Sequence, residues 1–167
     1  MTAAGDPFLD DDRILSPSDA AAAILVAPDG YLLQLRDDKP GIFYPGHWGC
    51  FGGAIEPSDP SVEAGLRREL AEELAIELPP GALRYFTTMT FDLGFIGMGI
   101  VERAYYEARL APHHLANLRL GEGSRFAVFA AREALSLRRV TPYDAFALWL
   151  HANSGRLKPR SPTSETR

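Results

Sequence analysis

Ala20 to Ala27 is an apolar run broken only by its ends; Pro28-Asp29-Gly30 interrupts it, and Tyr31 to Arg36 starts a second run. Two such runs around a Pro/Asp/Gly turn predict a strand–turn–strand hairpin. Asp37 to Gly46 holds two prolines and two glycines and reads as a loop, and Trp48 to Phe51 reads as a short strand ending at Gly52-Gly53. From Ser58 to Leu74 the period changes. Ser58 or Asp59 can cap a helix, Pro60 suits its first turn, and Val62, Leu66, Leu70 and Leu74 recur every fourth residue as a buried stripe. Leu78 to Gly81 is again a loop. Ala82 to Leu93 and Gly99 to Leu110 are β-rich and joined by Gly94 to Met98, a flexible hairpin loop. Pro112 to Leu120 contains a helical turn, Arg125 to Ala130 a strand and Arg132 to Leu137 a short helix. A last helix, Pro142 to Ala152, has an apolar face of Tyr143, Phe146, Ala147 and Leu150. Strands grouped around one central helix and closed by another predict an α/β fold, with a mixed sheet between helices.

The chemistry concentrates in the central helix, which carries Arg68, Glu69, Glu72 and Glu73. Positions i, i+3 and i+4 share one face, so three carboxylates project together beside the apolar stripe. A divalent cation would relieve that repulsion, and hard oxygen ligands select Mg2+ or Mn2+. A metal-assisted reaction on a phosphorylated substrate follows as the expectation.

Composition narrows the partners. The 167 residues suit one domain, expected over residues 16–154, with an acidic flexible arm at 1–15 and a Pro/Ser/Thr-rich disordered tail at 155–167. No apolar run approaches the roughly 20 residues of a membrane span, so no membrane partner is expected. Net charge is −5 and no basic stripe is present, which argues against nucleic acid. An anionic substrate then needs a local device, such as metal plus arginine. The single cysteine, Cys50, excludes an internal disulfide and fits a reducing cytoplasm.

The segment from Gly53 resembles the signature of the Nudix hydrolase family: Gly, five residues, Glu, seven residues, Arg-Glu, aliphatic, any, Glu-Glu, any, Gly, aliphatic. Here Gly53 is followed by five residues and Asp59, then by eight residues where the pattern has seven. Arg68-Glu69-Leu70-Ala71-Glu72-Glu73-Leu74 follows, with Ala75 in place of glycine and then Ile76. The strand order around the motif is similar too. The resemblance implies a Nudix-like α/β/α sandwich with a mixed, partly antiparallel sheet. It also implies hydrolysis of a nucleoside diphosphate linked to another moiety, by attack of water on phosphorus. The substrate would be a small-molecule nucleoside diphosphate derivative.

On that resemblance Glu72 and Glu73 are metal ligands, with the Gly52 carbonyl as a further one. Glu69 is a third ligand or the base that deprotonates water, and Arg68 holds the glutamates by ion pairs. Glu122, flanked by glycines before a strand, is either an acid delivered to the metal by a mobile loop or an ordinary turn glutamate. Phe43 and Tyr44 are candidates for stacking on a base or for core packing, whereas Trp48 belongs to the core. Arg36 is a candidate phosphate contact or a surface arginine. The apolar strands near Thr87 to Val101 could support a homodimer. His47, His113, His114 and His151 lack zinc-ligand spacing. Two other readings stay open: a catalytically weak module that binds a nucleotide or nucleotide sugar, and a prenyl diphosphate isomerase with Cys50 reactive in the cleft.

Overall fold

A computed structural model of the chain describes residues 18–94 and 99–157. Its centre is one mixed sheet. Strand β1 (Ala20–Ala27) turns into β2 (Gly30–Leu35), as the apolar pattern predicts, with Ala27 opposite Gly30. β2 pairs with β1 through its first residues and with β3 (Trp48–Gly49) through Gln34 and Leu35. It pairs antiparallel with β6 (Arg125–Phe129) along its length. On its other side β1 runs parallel to β5 (Ile100–Arg109), which forms an antiparallel pair with β4 (Arg84–Asp92). The segment after β3 continues along β1, because Ala23 bridges Phe51 and Ala20 bridges Ala54. This continuation delivers Gly52 and Gly53 to the middle of the molecule.

The sheet is covered on both faces. Ala21, Ala23 and Leu25 of β1 pack with Leu66, Leu70 and Leu74 of helix α1 (Val62–Leu74). Ala22 and Ile24 point the other way, towards Ala147 and Leu148 of helix α4 (Pro142–Asn153) and Ala134 of α3 (Ala131–Ala134). A strand buried on both faces cannot alternate apolar with polar, which is why β1 reads as an unbroken run. Helix α2 (Pro112–Asn117) follows β5. The α/β/α sandwich with a mixed, partly antiparallel sheet is therefore the observed fold.

Several boundaries differ from expectation. Ser61, not Ser58 or Asp59, caps α1 by accepting from the Ala64 amide at 3.1 Å, and Pro60 precedes the helix. Asp59 is instead drawn to Arg68. Val62 is 39% exposed and so lies outside the buried stripe. On α4, Phe146 is exposed, whereas Asp144 is buried. Gly155 and Arg156, expected in the tail, belong to a 3-10 turn at Ser154–Arg156. The residues at 1–15, 95–98 and 158–167, to which the arm, the hairpin loop and most of the tail were assigned, lie outside the described residues.

α1 ends at Ala75 with φ 51° and ψ 35°, the left-handed conformation normally given to glycine. An L-residue with a Cβ is strained there. Ala75→Gly is expected to raise the unfolding free energy by about 0.5–1 kcal/mol in urea titrations, after allowing for glycine's freer unfolded chain. An unchanged or lower value would show that the helix end relaxes around the alanine.

Candidate active site

Gly52 has φ +126°, and a Cβ there would collide with the Ala21 carbonyl oxygen of β1. Close backbone packing thus requires glycine at this position. With no side chain in the way, the Gly52 amide donates to Glu73 Oε2 at 2.7 Å. The Gln34 amide of β2 donates to Glu73 Oε1 at 3.2 Å and to the Cys50 carbonyl at 3.3 Å. Glu73 is 7% exposed. Burial pushes its carboxyl up to about 7, against the Gly52 and Gln34 hydrogen bonds, and the charges of Glu69 and Glu122 add to the rise.

Gly53 makes room for the next acid. A Cβ on it would lie 2.6 Å from Glu69 Cδ, so the glutamate packs against bare backbone. Burial also raises the Glu69 carboxyl, while its hydrogen bond to Arg68 lowers it. Arg68 ties the motif together. Its Nη1 reaches Glu69 Oε1 at 2.7 Å and Glu72 Oε2 at 3.3 Å. Its Nε and Nη2 donate to Asp59 Oδ1 and Oδ2 at 3.2 and 3.1 Å, and Nη2 also donates to the Ala54 carbonyl at 3.1 Å. Asp59 is within reach of Arg68 although the loop holds one residue more than the family pattern.

Glu69, Glu73, Gly52 and Glu122 line one cavity of about 610 Å3 with Arg36, Phe43, Tyr44, Phe91, Arg103 and Tyr143. That volume is in the range of small-molecule sites. Arg36 Nε donates to the Phe43 carbonyl at 2.8 Å, fixing the aromatic loop. Tyr44 is buried edge-on to His47 and Tyr143. The turn bearing Glu122 is anchored on both sides rather than loose: the Gly121 amide donates to the Glu73 carbonyl at 2.8 Å, and the Ser124 amide to Leu35 at 2.9 Å.

The three helix glutamates do not project together as their spacing implied. Glu73 points down to Gly52, whereas the 55% exposed Glu72 side chain turns to Arg68 and stays outside the cavity lining. Among the described residues, no group of three or more His, Cys, Asp or Glu side chains is gathered closely enough to hold a metal ion. The donor chemistry nevertheless fits a hard divalent cation. Glu69, Glu73 and Glu122 line the cavity beside the Gly52 backbone, and burial raises the carboxyls of Glu69 and Glu73.

Behind the cavity lies a network that sequence reasoning missed. Asp144, 1% exposed, accepts from the Cys50 amide at 2.9 Å and Thr141 Oγ1 at 2.7 Å through Oδ2, and from the Tyr105 hydroxyl at 2.9 Å through Oδ1. An acid in the first turn of a helix ordinarily signals the macrodipole, so nothing in the sequence distinguishes this buried one. Gln34 left a weak signal, a polar residue inside an apolar strand. Cys50 is buried, outside the cavity lining, and burial drives its thiol upward, which leaves no reactive cysteine for isomerisation.

A mixed sheet between helices, with a Gly-Gly turn under a glutamate-bearing helix, defines the class. The NUDIX domain family model matches residues 17–154, and the chain belongs to that family. It is 46% identical over 69 residues to the nucleoside triphosphatase NudI of Escherichia coli O1:K1 / APEC, a match covering 41% of this chain and 45% of that protein. The chain thus spans about half the length of the curated relatives it matches. The MutT protein of Methanosarcina mazei Go1 has the same fold, with a TM-score of 0.67 at 19% identity over 84% of this chain and 96% of that one. So does the NUDIX domain of Shewanella oneidensis NrtR, solved with ADP ribose, at a TM-score of 0.64 and 21% identity over 91% and 94% of the two chains. No described helix is long and apolar enough to cross a membrane.

Proposed function

We propose that this protein is a Mg2+-dependent hydrolase that cleaves the diphosphate linkage of a nucleoside diphosphate joined to another group. A nucleoside triphosphate is the first candidate, given the partial match to NudI. The observation that carries the reading is the buried Glu73 carboxylate, held by the Gly52 amide on the wall of a cavity it shares with Glu69 and Glu122. Glu69, Glu73 and the Gly52 carbonyl would hold the cation, which supplies charge neutralisation to the diphosphate and acidifies bound water. Glu72 joins them by leaving Arg68. An exposed i,i+4 pair contributes only about 0.3–0.5 kcal/mol, so this rearrangement is easy.

Arg68 holds Glu69 turned towards Gly53. Glu122, on an anchored turn, takes the proton released when water attacks phosphorus. Arg36 meets phosphate oxygens, while Phe43 and Tyr44 border the rest of the substrate. The test is product-resolved hydrolysis of nucleoside triphosphates, nucleotide sugars and dinucleotides with Mg2+ or Mn2+. Phosphate or diphosphate release that stops on chelation is expected. Tight nucleotide binding with no turnover on any of them would favour instead a binding module, the reading motivated by the ADP ribose in the NrtR domain.

A further inference from the structure

Arg103 of β5 lines the cavity, yet the carboxylate chemistry makes no use of it. Only 13% of its side chain is exposed. The guanidinium carbon stands 4.8 Å from the centre of the Tyr143 ring and 5.6 Å from that of Tyr105. Nε is 3.5 Å from Asp144 Oδ1, and among the described residues that buried nitrogen has no hydrogen-bond partner. Asp144 already accepts from Cys50, Thr141 and Tyr105, so its lone pairs are largely taken. Two rings and a neighbouring charge therefore hold the guanidinium in place; Nε is itself buried, so the Nη groups are the donors left for a ligand in the cavity.

The sheet register fixes where Arg103 lies relative to the acids. Arg103 is opposite Ala20, and Ala20 bridges Ala54, the residue after Gly53. Two strand spacings, roughly 10 Å, thus separate Arg103 from the Gly-Gly turn. A nucleotide with its phosphates at Gly52 and Glu73 can place its base at that remove. The surroundings are aromatic: Phe91 and Tyr44 both pack edge-on to Tyr143, at 5.9 and 5.5 Å between centres. Flat rings at the walls suit a planar base better than a second phosphate.

We infer that Arg103 is a specificity-determining residue that donates to the keto oxygen of the substrate's base, so that 6-keto purine nucleotides are preferred to 6-amino ones. This rests on the diphosphatase reading above. Arginine has donors only. A 6-keto purine offers it O6 and N7 as two acceptors, whereas adenine turns a donor amino group towards it.

The experiment measures kcat/KM of the full chain with Mg2+ for GTP, ITP and ATP, in the wild type, Arg103→Met and Arg103→Lys. ITP shares the keto group of GTP without its 2-amino group. The wild type is expected to prefer GTP and ITP over ATP by about tenfold or more. Arg103→Met should bring the ratio close to one, and Arg103→Lys, which keeps the charge without the planar fork, should fall between them and covers the case in which the methionine variant misfolds. Equal wild-type rates on GTP and ATP, or losses in equal proportion on all three, overturn the assignment and make Arg103 structural. If the wild type hydrolyses none of them, the diphosphatase reading fails, and calorimetric Kd values for GTP and ATP decide Arg103 separately. A tenfold preference for GTP that disappears in the variants supports the assignment, and equal affinities overturn it.

Discussion

Glu73→Gln is expected to lower turnover by roughly 10^3-fold, the scale of losing several kcal/mol of charge stabilisation at a metal-assisted centre. The fold should survive. A glutamine oxygen still accepts from the Gly52 amide, and the Gln34 amide can rotate to offer its own oxygen to the new NH2 group, giving up its bond to the Cys50 carbonyl. Stability supplies an independent readout in metal-free protein. The folded Glu73 carboxyl is pushed up to about 7 by burial, above its ordinary 4.5, so it favours folding most when protonated. Its contribution is complete below about pH 4.5 and is lost as pH rises through about 7. A shift of about 2.5 units corresponds to roughly 3 kcal/mol at most. In EDTA at pH 8, Glu73→Gln should therefore unfold at higher urea than the wild type, with the difference vanishing near pH 4. Wild-type turnover in the variant would remove Glu73 from the reaction.

Asp144→Ala should destabilise the protein by about 3–5 kcal/mol, the range for removing one partner of a buried, hydrogen-bonded charge. The alanine leaves the Cys50 amide, Thr141 hydroxyl and Tyr105 hydroxyl without their acceptor, and Arg103 without its nearby carboxylate. At this chain length the melting temperature should fall by about 10 °C or more. Asp144→Asn, which retains an acceptor oxygen, should lose distinctly less. A melting curve for Asp144→Ala within about 2 °C of wild type would mean that the network contributes little to folding.

Much of the architecture was legible because burial imposes periods. β1 and β2 could be read as a hairpin, and Leu66, Leu70 and Leu74 as the inner side of α1, from the spacing of apolar residues and the turn between them. The Gly-Gly turn and the Arg-Glu-x-x-Glu-Glu helix were equally visible, and the structure brings Gly52, Glu69, Glu73 and Glu122 to one cavity together with Arg36, Phe43 and Tyr44. What spacing could not give is the direction of each carboxylate. Glu73 and Glu72 are neighbours in sequence, yet one is buried on an amide of another segment and the other is drawn outward by Arg68. Such choices depend on partners far along the chain. The same holds for Arg103 and Asp144, 41 residues apart by their numbers, which meet only once the sheet and α4 have packed.

The clamp between Arg68 and the Asp59 carboxylate also bears on how this chain accommodates its extra residue. Because the guanidinium grips both Ala54 and Asp59, the arch between Gly53 and α1 is pinned at its two feet, and Pro60 separates the second foot from the Ser61 cap of the helix. A residue gained there lengthens the arch without sliding the helix along its axis, so a motif out of step with its relatives on paper can remain in step in space.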